Sequence, residues 1–364
     1  MRNEEKELKP ILKEIVTLDD DRVIRLFFHY TTYTYDKCDK MTSKTYQSGK
    51  IMRKIAVIYA VVMGIFLGCS TDTSDTENPN NDSETSNITL YNAYGNSQQL
   101  LVHGRTVKEE ESVSTSDSGY SNVWNAINFF HNDEIPNKNV FLWIDNKRYE
   151  TKSDSEGYFA FDINTSKSLN MGYKNINVQI ENNLHIHHAK ATIISDTKMV
   201  GIISDIDDTV IVSDVTNKTE LILNTFWKNY KQRKVVPTMV ERFQEILAKN
   251  PPASPSRLFF ISGSPKQLYT PIEKFLSYNH FPEHVLILKQ IHGDNKDSLF
   301  NQIAFKTSKI ERLIALYPQM QWVMFGDSGE SDLAVYRGIK EKYPSNVKAY
   351  YIRDVDSGVI EQIE

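Results

Sequence analysis

Cysteine is close to absent: Cys38 and Cys69 are the only 2 in 364 residues, too few for a disulfide framework or a cysteine-rich zinc site. Long apolar runs are lacking too. The uncharged stretch Ile55 to Leu67 has 13 residues, short of the roughly 20 that a membrane-crossing helix needs. Nor is there an excess of basic charge. With 42 Lys and Arg against 47 Asp and Glu the net charge is −5, so no global field draws the chain to nucleic acid, and none is expected as a partner. What remains is ordinary: 40% hydrophobic, 11% aromatic and 24% charged residues exclude collagen-like, wholly disordered and multi-span membrane classes. The length predicts two folded domains plus some non-globular sequence.

Position matters more than number for the cysteines. The run Ile55 to Leu67 follows Arg53 and Lys54 and precedes Gly68, Cys69 and Ser70. A basic start, a short apolar stretch and a small residue before cysteine resemble a bacterial lipoprotein signal, with Phe66 standing where Leu is usual. That resemblance implies cleavage before Cys69, lipid on Cys69, and a place in the bacterial cell envelope, held stably once two or more acyl chains are attached. Met52 directly precedes Arg53, so residues 1–51 are read as an over-extended start, the alternative being a cytoplasmic tail on a short anchor. Residues 52–68 are then the signal, and 69–87, rich in Ser, Thr, Asp, Asn and Glu, a tether with nothing to bury. Residues 69–364 hold 30 basic and 38 acidic side chains, so lipid, rather than bulk charge, would do the anchoring.

Residues 88–198 read as strands. ITLYNAYG, QQLLVHGRTV, NVFLWID, GYFAFDI, NINVQI and AKATII are short runs separated by turn residues, and Asp154, Ser155, Glu156 and Gly157 form a turn before one of them. An antiparallel β-sandwich is the expectation. His185, His187 and His188 suggest a metal only weakly, because no carboxylate or cysteine ligand stands at a suitable spacing.

Residues 199–364 carry the chemistry. The apolar run VGII at 200–203 opens into Ser204, Asp205, Ile206, Asp207, Asp208 and Thr209. Such a run suits a buried parallel strand, and open α/β sheets bind ligands beyond the carboxyl ends of their strands. Acids crowded there resist joint ionisation, and a divalent cation, most naturally Mg²⁺, relieves the repulsion. Three later segments repeat the theme. Ser262, Gly263 and Ser264 follow Leu258–Ile261, Lys306 precedes a helical pattern, and Asp327 and Asp332 follow WVMF. A hydroxyl, flexible backbone N–H groups and an ammonium are suited to phosphate oxygens.

In order and spacing these segments resemble the haloacid dehalogenase superfamily of phosphotransferases. GIISDIDDTV, FFISGSP, GDSGESD and YYIRDV are closer still to the actin-patch-associated phosphatidate phosphatase family. The resemblance covers roughly 199–355 and implies an α/β fold, a Rossmann-like parallel sheet preceded by the sandwich. It also implies roles. Asp205 is the nucleophile that becomes an aspartyl-phosphate, Asp207 the general acid and base, and Lys306 the partner of the transferring oxygens. Thr209, Ser262 and Gly263 bind substrate, while Asp205, Asp207 (through its carbonyl), Asp327 and Asp332 serve the Mg²⁺ site or support it. Lys309 competes for the basic role, Asp208 reads equally as a turn residue, and Ser264 as a loop former before Pro265.

The segments 209–257 and 265–304 leave no room for an independent cap. An open site suits a bulky or membrane-held phosphomonoester, which makes phosphatidate-like phospholipid the leading substrate class. A soluble protein, nucleotide or sugar phosphate is the alternative, and a surface binding protein with an inert carboxyl-terminal domain the non-enzymatic one. Leu221, Ile222, Leu223, Phe226, Trp227 and Tyr230 form an amphipathic stripe that reads as core more readily than as a lipid-facing edge.

Overall fold

The computed structural model describes residues 87–108, 134–165, 167–195, 197–212, 230–252, 254–291, 297, 301–329 and 331–363. Cys69, the signal and the segment before it lie outside the described residues, as do residues 221–229 of the amphipathic stripe and all of the tether but Asn87. Among the described residues no helix is long and apolar enough to cross a membrane.

Seven strands fill the amino-terminal part: β1 (Asn87–Gly95), β2 (Gln99–Val107), β3 (Asn139–Ile144), β4 (Lys147–Lys152), β5 (Tyr158–Asn164), β6 (Gly172–Ile180) and β7 (His187–Ile193). They make one sheet in the order β4-β3-β6-β7-β1-β2-β5. Neighbours pair antiparallel except β1 and β7, which run parallel. This corrects the sandwich expectation. Edge strands β4 and β5 come back against each other, so the sheet curls into a nearly closed, barrel-like form around Leu100, Val102, Val140, Leu142, Phe161 and Val178. The period of two in the sequence is the same whether inward residues face a second sheet or the far side of their own, which is why alternation does not separate the two forms. A register shift between Leu90 and Asn92 in β1 contributes the bend.

The carboxyl-terminal part is mixed α/β. β8 (Val200–Ser204) leads to a small ribbon, β9 (Ile211–Val212) with β10 (Lys234–Val235), then to α1 (Met239–Leu247). After these come β11 (Leu258–Pro265), α2 (Tyr269–Tyr278), β12 (His284–Lys289), α3 (Gln302–Leu316), β13 (Gln321–Asp327), α4 (Asp332–Lys342), β14 (Val347–Arg353) and β15 (Ile360–Ile363). The six-stranded sheet has the order β12-β11-β8-β13-β14-β15, parallel throughout except for the final antiparallel pair. The four strands β8, β11, β12 and β13 are buried along most of their length, as expected of a parallel sheet covered on both faces. Gly201 has a packing reason: a Cβ there would stand 2.5 Å from the Trp322 ring, so only glycine lets the fully buried indole lie across β8.

The curled sheet rests on β12 and α3. Asn92 Nδ2 donates to the Leu286 carbonyl at 3.2 Å, Asn96 Nδ2 to the Leu316 carbonyl at 2.8 Å, and Tyr317 Oη to the Gly95 carbonyl at 3.0 Å. Tyr94, Leu101 and Ile194 share one apolar cluster with Phe259, Ile287 and Phe305, so the contact is core-like.

Candidate active site

Strand order reverses beside β8, whose neighbours are β11 and β13, and such reversals open a crevice at the carboxyl ends of the strands. Asp205 stands one residue beyond β8 and holds its place by donating its N–H to the Phe325 carbonyl at 2.9 Å. Asp327 ends β13 next door. Asp332 opens α4, where a carboxylate is favoured by the positive end of the helix dipole, and it occupies the apolar stripe of Val335, Tyr336 and Ile339. Lys306 is likewise an intruder on a buried face, aligned with Ile310 and Leu313 of α3. Two helices therefore each present one charge where apolar periodicity predicts none, and the charges meet.

The resulting group is buried and tight. Asp205, Asp327, Asp332 and Lys306 are each no more than 1% exposed. Oxygens of the three carboxylates lie within 4.8 Å of one another. Lys306 Nζ is 2.9 Å from Asp205 Oδ1 and donates to Asp332 Oδ1 at 2.5 Å. The other oxygen of Asp332 accepts the Asp327 N–H at 3.3 Å, and Asp327 Oδ1 accepts the Gly329 N–H at 2.7 Å. Gly326 makes room for this: a Cβ there would be 2.5 Å from the Asp332 Cβ and 2.6 Å from its Oδ2. Behind the group Tyr336 donates to the Phe325 carbonyl at 2.7 Å; burial first, then the Asp332 charge, push its phenol well above the usual range. Three acids against one lysine is a donor set that suits a hard divalent cation bound through oxygen.

Asp207 faces a second set of groups. Its Oδ2 accepts from Ser264 Oγ at 3.0 Å and lies 3.5 Å from Ser262 Oγ, which itself accepts the Ser264 N–H at 3.0 Å. The Asp207 carboxylate is thus not one of the three clustered carboxylates and meets the Ser262–Ser264 loop instead. A tight reversal sends it there: Asp208 has φ 55°, and Val210 and Ile211 both donate N–H to the Ile206 carbonyl. Arg353 Nη1 clamps that reversal by donating to the Asp208 carbonyl at 2.8 Å. Thr209 is buried, and its hydroxyl has no hydrogen-bond partner among the described residues. Gly263 lies under the Gln302 amide, 2.9 Å from where a Cβ would be.

The structure separates the two lysines. Lys309 is partly exposed and pairs with Asp297 at 3.6 Å, whereas Lys306 is inside the acid group. Two neighbours, Gln302 and Arg233, carry no signal in the sequence, and a third does more than the sequence implies. Ser264 bonds Asp207 as well as shaping the loop, and Gln302 covers Gly263. Arg233, beside β10, is close enough for the Asp207 charge to oppose the burial that draws its guanidinium down to about 10. Two of the three histidines are engaged locally: His187 Nε2 accepts the Ile88 N–H, and His188 Nδ1 pairs with Asn177, while the His185 ring packs edge-on against that of His187.

Comparison with known proteins locates the same stretch. Residues 200–354 match the family model described as Phosphatidate phosphatase APP1, catalytic domain. Phosphatidate phosphatase APP1 of Saccharomyces cerevisiae is 28% identical over 158 residues, 42% of this chain and 26% of that protein. An uncharacterized protein of Schizosaccharomyces pombe is 23% identical over 256 residues, 68% of this chain and 41% of that one. The chain therefore spans less than half the length of these relatives. The likeness to a phosphatidate phosphatase catalytic domain lies in residues 200–354.

Proposed function

We propose that this protein hydrolyses phosphomonoesters through residues 199–364, with phosphatidate-like lipid as the leading substrate and Mg²⁺ as the metal. The observation that carries the reading is the burial of Asp205, Asp327, Asp332 and Lys306 together within the stretch that matches a phosphatidate phosphatase catalytic domain. The strand order, with β8 central and the reversal beside it, supports a Rossmann-like haloacid dehalogenase fold.

In this reading Asp205 is the nucleophile. Its carboxylate oxygen bonds to phosphorus while the bond from phosphorus to the ester oxygen breaks, and Asp207 gives its proton to the departing alkoxide. Water then attacks the aspartyl-phosphate, Asp207 takes the water's proton, and inorganic phosphate leaves with Asp205 restored. Ser264 keeps the Asp207 carboxyl turned toward the crevice. The ammonium of Lys306, the Ser262 and Thr209 hydroxyls and the Gly263 backbone hold the transferring oxygens as charge develops on them. Asp205, Asp327 and the Asp207 carbonyl would hold Mg²⁺, with Asp332 in support. When bound, the ion neutralises charge on the phosphoryl oxygens and keeps Asp205 ionised.

The amino-terminal signal belongs to the same proposal: lipid on Cys69 would place the site at a bacterial envelope membrane, where a lipid monoester is at hand. Phosphate release from phosphatidate in mixed micelles, measured beside soluble phosphomonoesters, tests the substrate class. Turnover confined to the soluble set removes the lipid assignment, and turnover of neither removes the hydrolase reading.

A further inference from the structure

Among the described residues the first sheet meets the segment that follows the Ser262–Ser264 loop. Lys266 follows Pro265, the last residue of β11, and so stands two residues beyond Ser264, whose hydroxyl holds Asp207. Pro265 is extended, with φ −61° and ψ 146°, which makes the link from Ser264 to Lys266 short and stiff. The Lys266 ammonium crosses to the first sheet. It lies 5.2 Å from the centre of the Tyr158 ring and 5.9 Å from that of Tyr91, and donates to Gln290 Oε1 at 2.9 Å. Gln290 Nε2 in turn donates to Asp154 Oδ2 at 3.1 Å.

The acceptor end of this chain is rigid. The other oxygen of Asp154 accepts the N–H groups of Glu156 and Tyr158, both at 2.9 Å, so one turn fixes both the carboxylate and an aromatic ring that Lys266 meets. On the far side Tyr91 packs on Tyr269 of α2 with ring centres 5.1 Å apart. Burial, with the Lys309 charge adding to it, lowers Lys266 to about 8 against the opposing pull of Asp297 and Asp154. An ammonium kept in such a place must be held by its contacts, since ring faces and amide oxygens replace only part of its hydration.

We propose that Lys266, held by Tyr91, Tyr158 and the Gln290–Asp154 pair of contacts, is a positioning residue through which the first sheet sets the Ser262–Ser264 loop against Asp207. The first sheet is then part of the working unit, not an appended binding module. This rests on the phosphohydrolase reading for its kinetic consequence, while its mechanical consequence stands without it. Loosening the loop displaces Ser264 and Asp207, and misplacement of about 1 Å at a reacting group costs up to roughly a hundredfold in rate.

The test uses the full chain with Lys266→Met, Gln290→Leu, the double variant and Lys266→Arg. Each is read by kcat and KM on a soluble phosphomonoester and by backbone amide exchange over residues 258–266. The expected result is a fall in kcat of about tenfold to a hundredfold for Lys266→Met and for Gln290→Leu, with KM shifted less than about twofold. Exchange at residues 262–266 rises in both, the double variant adds little to either single one, and Lys266→Arg recovers most of the rate. Unchanged kcat and unchanged exchange in Lys266→Met overturn the proposal, even if the melting temperature falls. If the wild-type protein hydrolyses no phosphomonoester, the function reading fails, and exchange alone decides this one: faster exchange in Gln290→Leu upholds the link, unaltered exchange refutes it.

Discussion

Replacing Lys306 by Met tests whether the acid group is held together by charge. The thioether chain keeps most of the volume, so packing changes little, but the only cation among these four buried groups is lost. At an effective dielectric near 20, two carboxylate charges no more than 4.8 Å apart repel by roughly 3.5 kcal/mol or more, and three carboxylates make three such pairs. Removing the partner from a buried ion pair commonly costs about 3–5 kcal/mol because the remaining charge has neither water nor counter-ion. Lys306→Met is therefore expected to lose about 3–5 kcal/mol of unfolding free energy in chelator-treated buffer at neutral pH, measured by urea denaturation followed by circular dichroism. Asp327→Asn in that background removes one negative charge and is expected to return part of the loss. A loss below about 1 kcal/mol, the range of exposed pairs, or no recovery on adding Asp327→Asn, refutes the electrostatic reasoning.

Three further outcomes are expected. Gly326→Ala puts a Cβ 2.5 Å from Asp332, so it is expected to cost about 1–3 kcal/mol and to depress hydrolysis, whereas Gly338→Ala in α4, with nothing within 4 Å, is expected to stabilise by about 0.5–1 kcal/mol; thermal unfolding of both decides. Ser264→Ala frees the Asp207 carboxylate and is expected to lower kcat about tenfold, near 1.4 kcal/mol; an unchanged kcat contradicts the orienting role. Burial raises the Glu273 carboxyl, but hydrogen bonds from His284 and Ser277 outweigh it and leave the group below its ordinary 4.5. A lowered folded-state value gives stability that is present above about 4.5 and lost as pH falls, so wild type should exceed Glu273→Gln in urea resistance at neutral pH, with the gap closing in acid.

The acids could be read from sequence because each follows a buried strand or begins a helix, and strand ends in such sheets face a common crevice. Lys306 and Asp332 carried a second signal, a charge at a core-facing helical position. Other features depend on contacts between segments far apart in the chain. Ser264 was visible as a loop former, yet its bond to Asp207 spans 57 residues, and the Gln290 bond to Asp154 spans 136. No local pattern encodes either. The curl of the first sheet is illegible for a related reason, since alternation reports which side chains are buried and not what buries them. Gly326 read as part of a motif, and only the packing of Asp332 above it shows why a side chain there is excluded.

The central claim is that Asp205 accepts a phosphoryl group within the buried acid cluster. Its most direct test is phosphate release from a soluble phosphomonoester by chelator-stripped protein, with and without added Mg²⁺, for wild type and Asp205→Asn side by side. Release is expected to require Mg²⁺ and to fall by roughly a thousandfold or more in Asp205→Asn while the fold survives. Equal rates in the two proteins, or release indifferent to Mg²⁺, would contradict it.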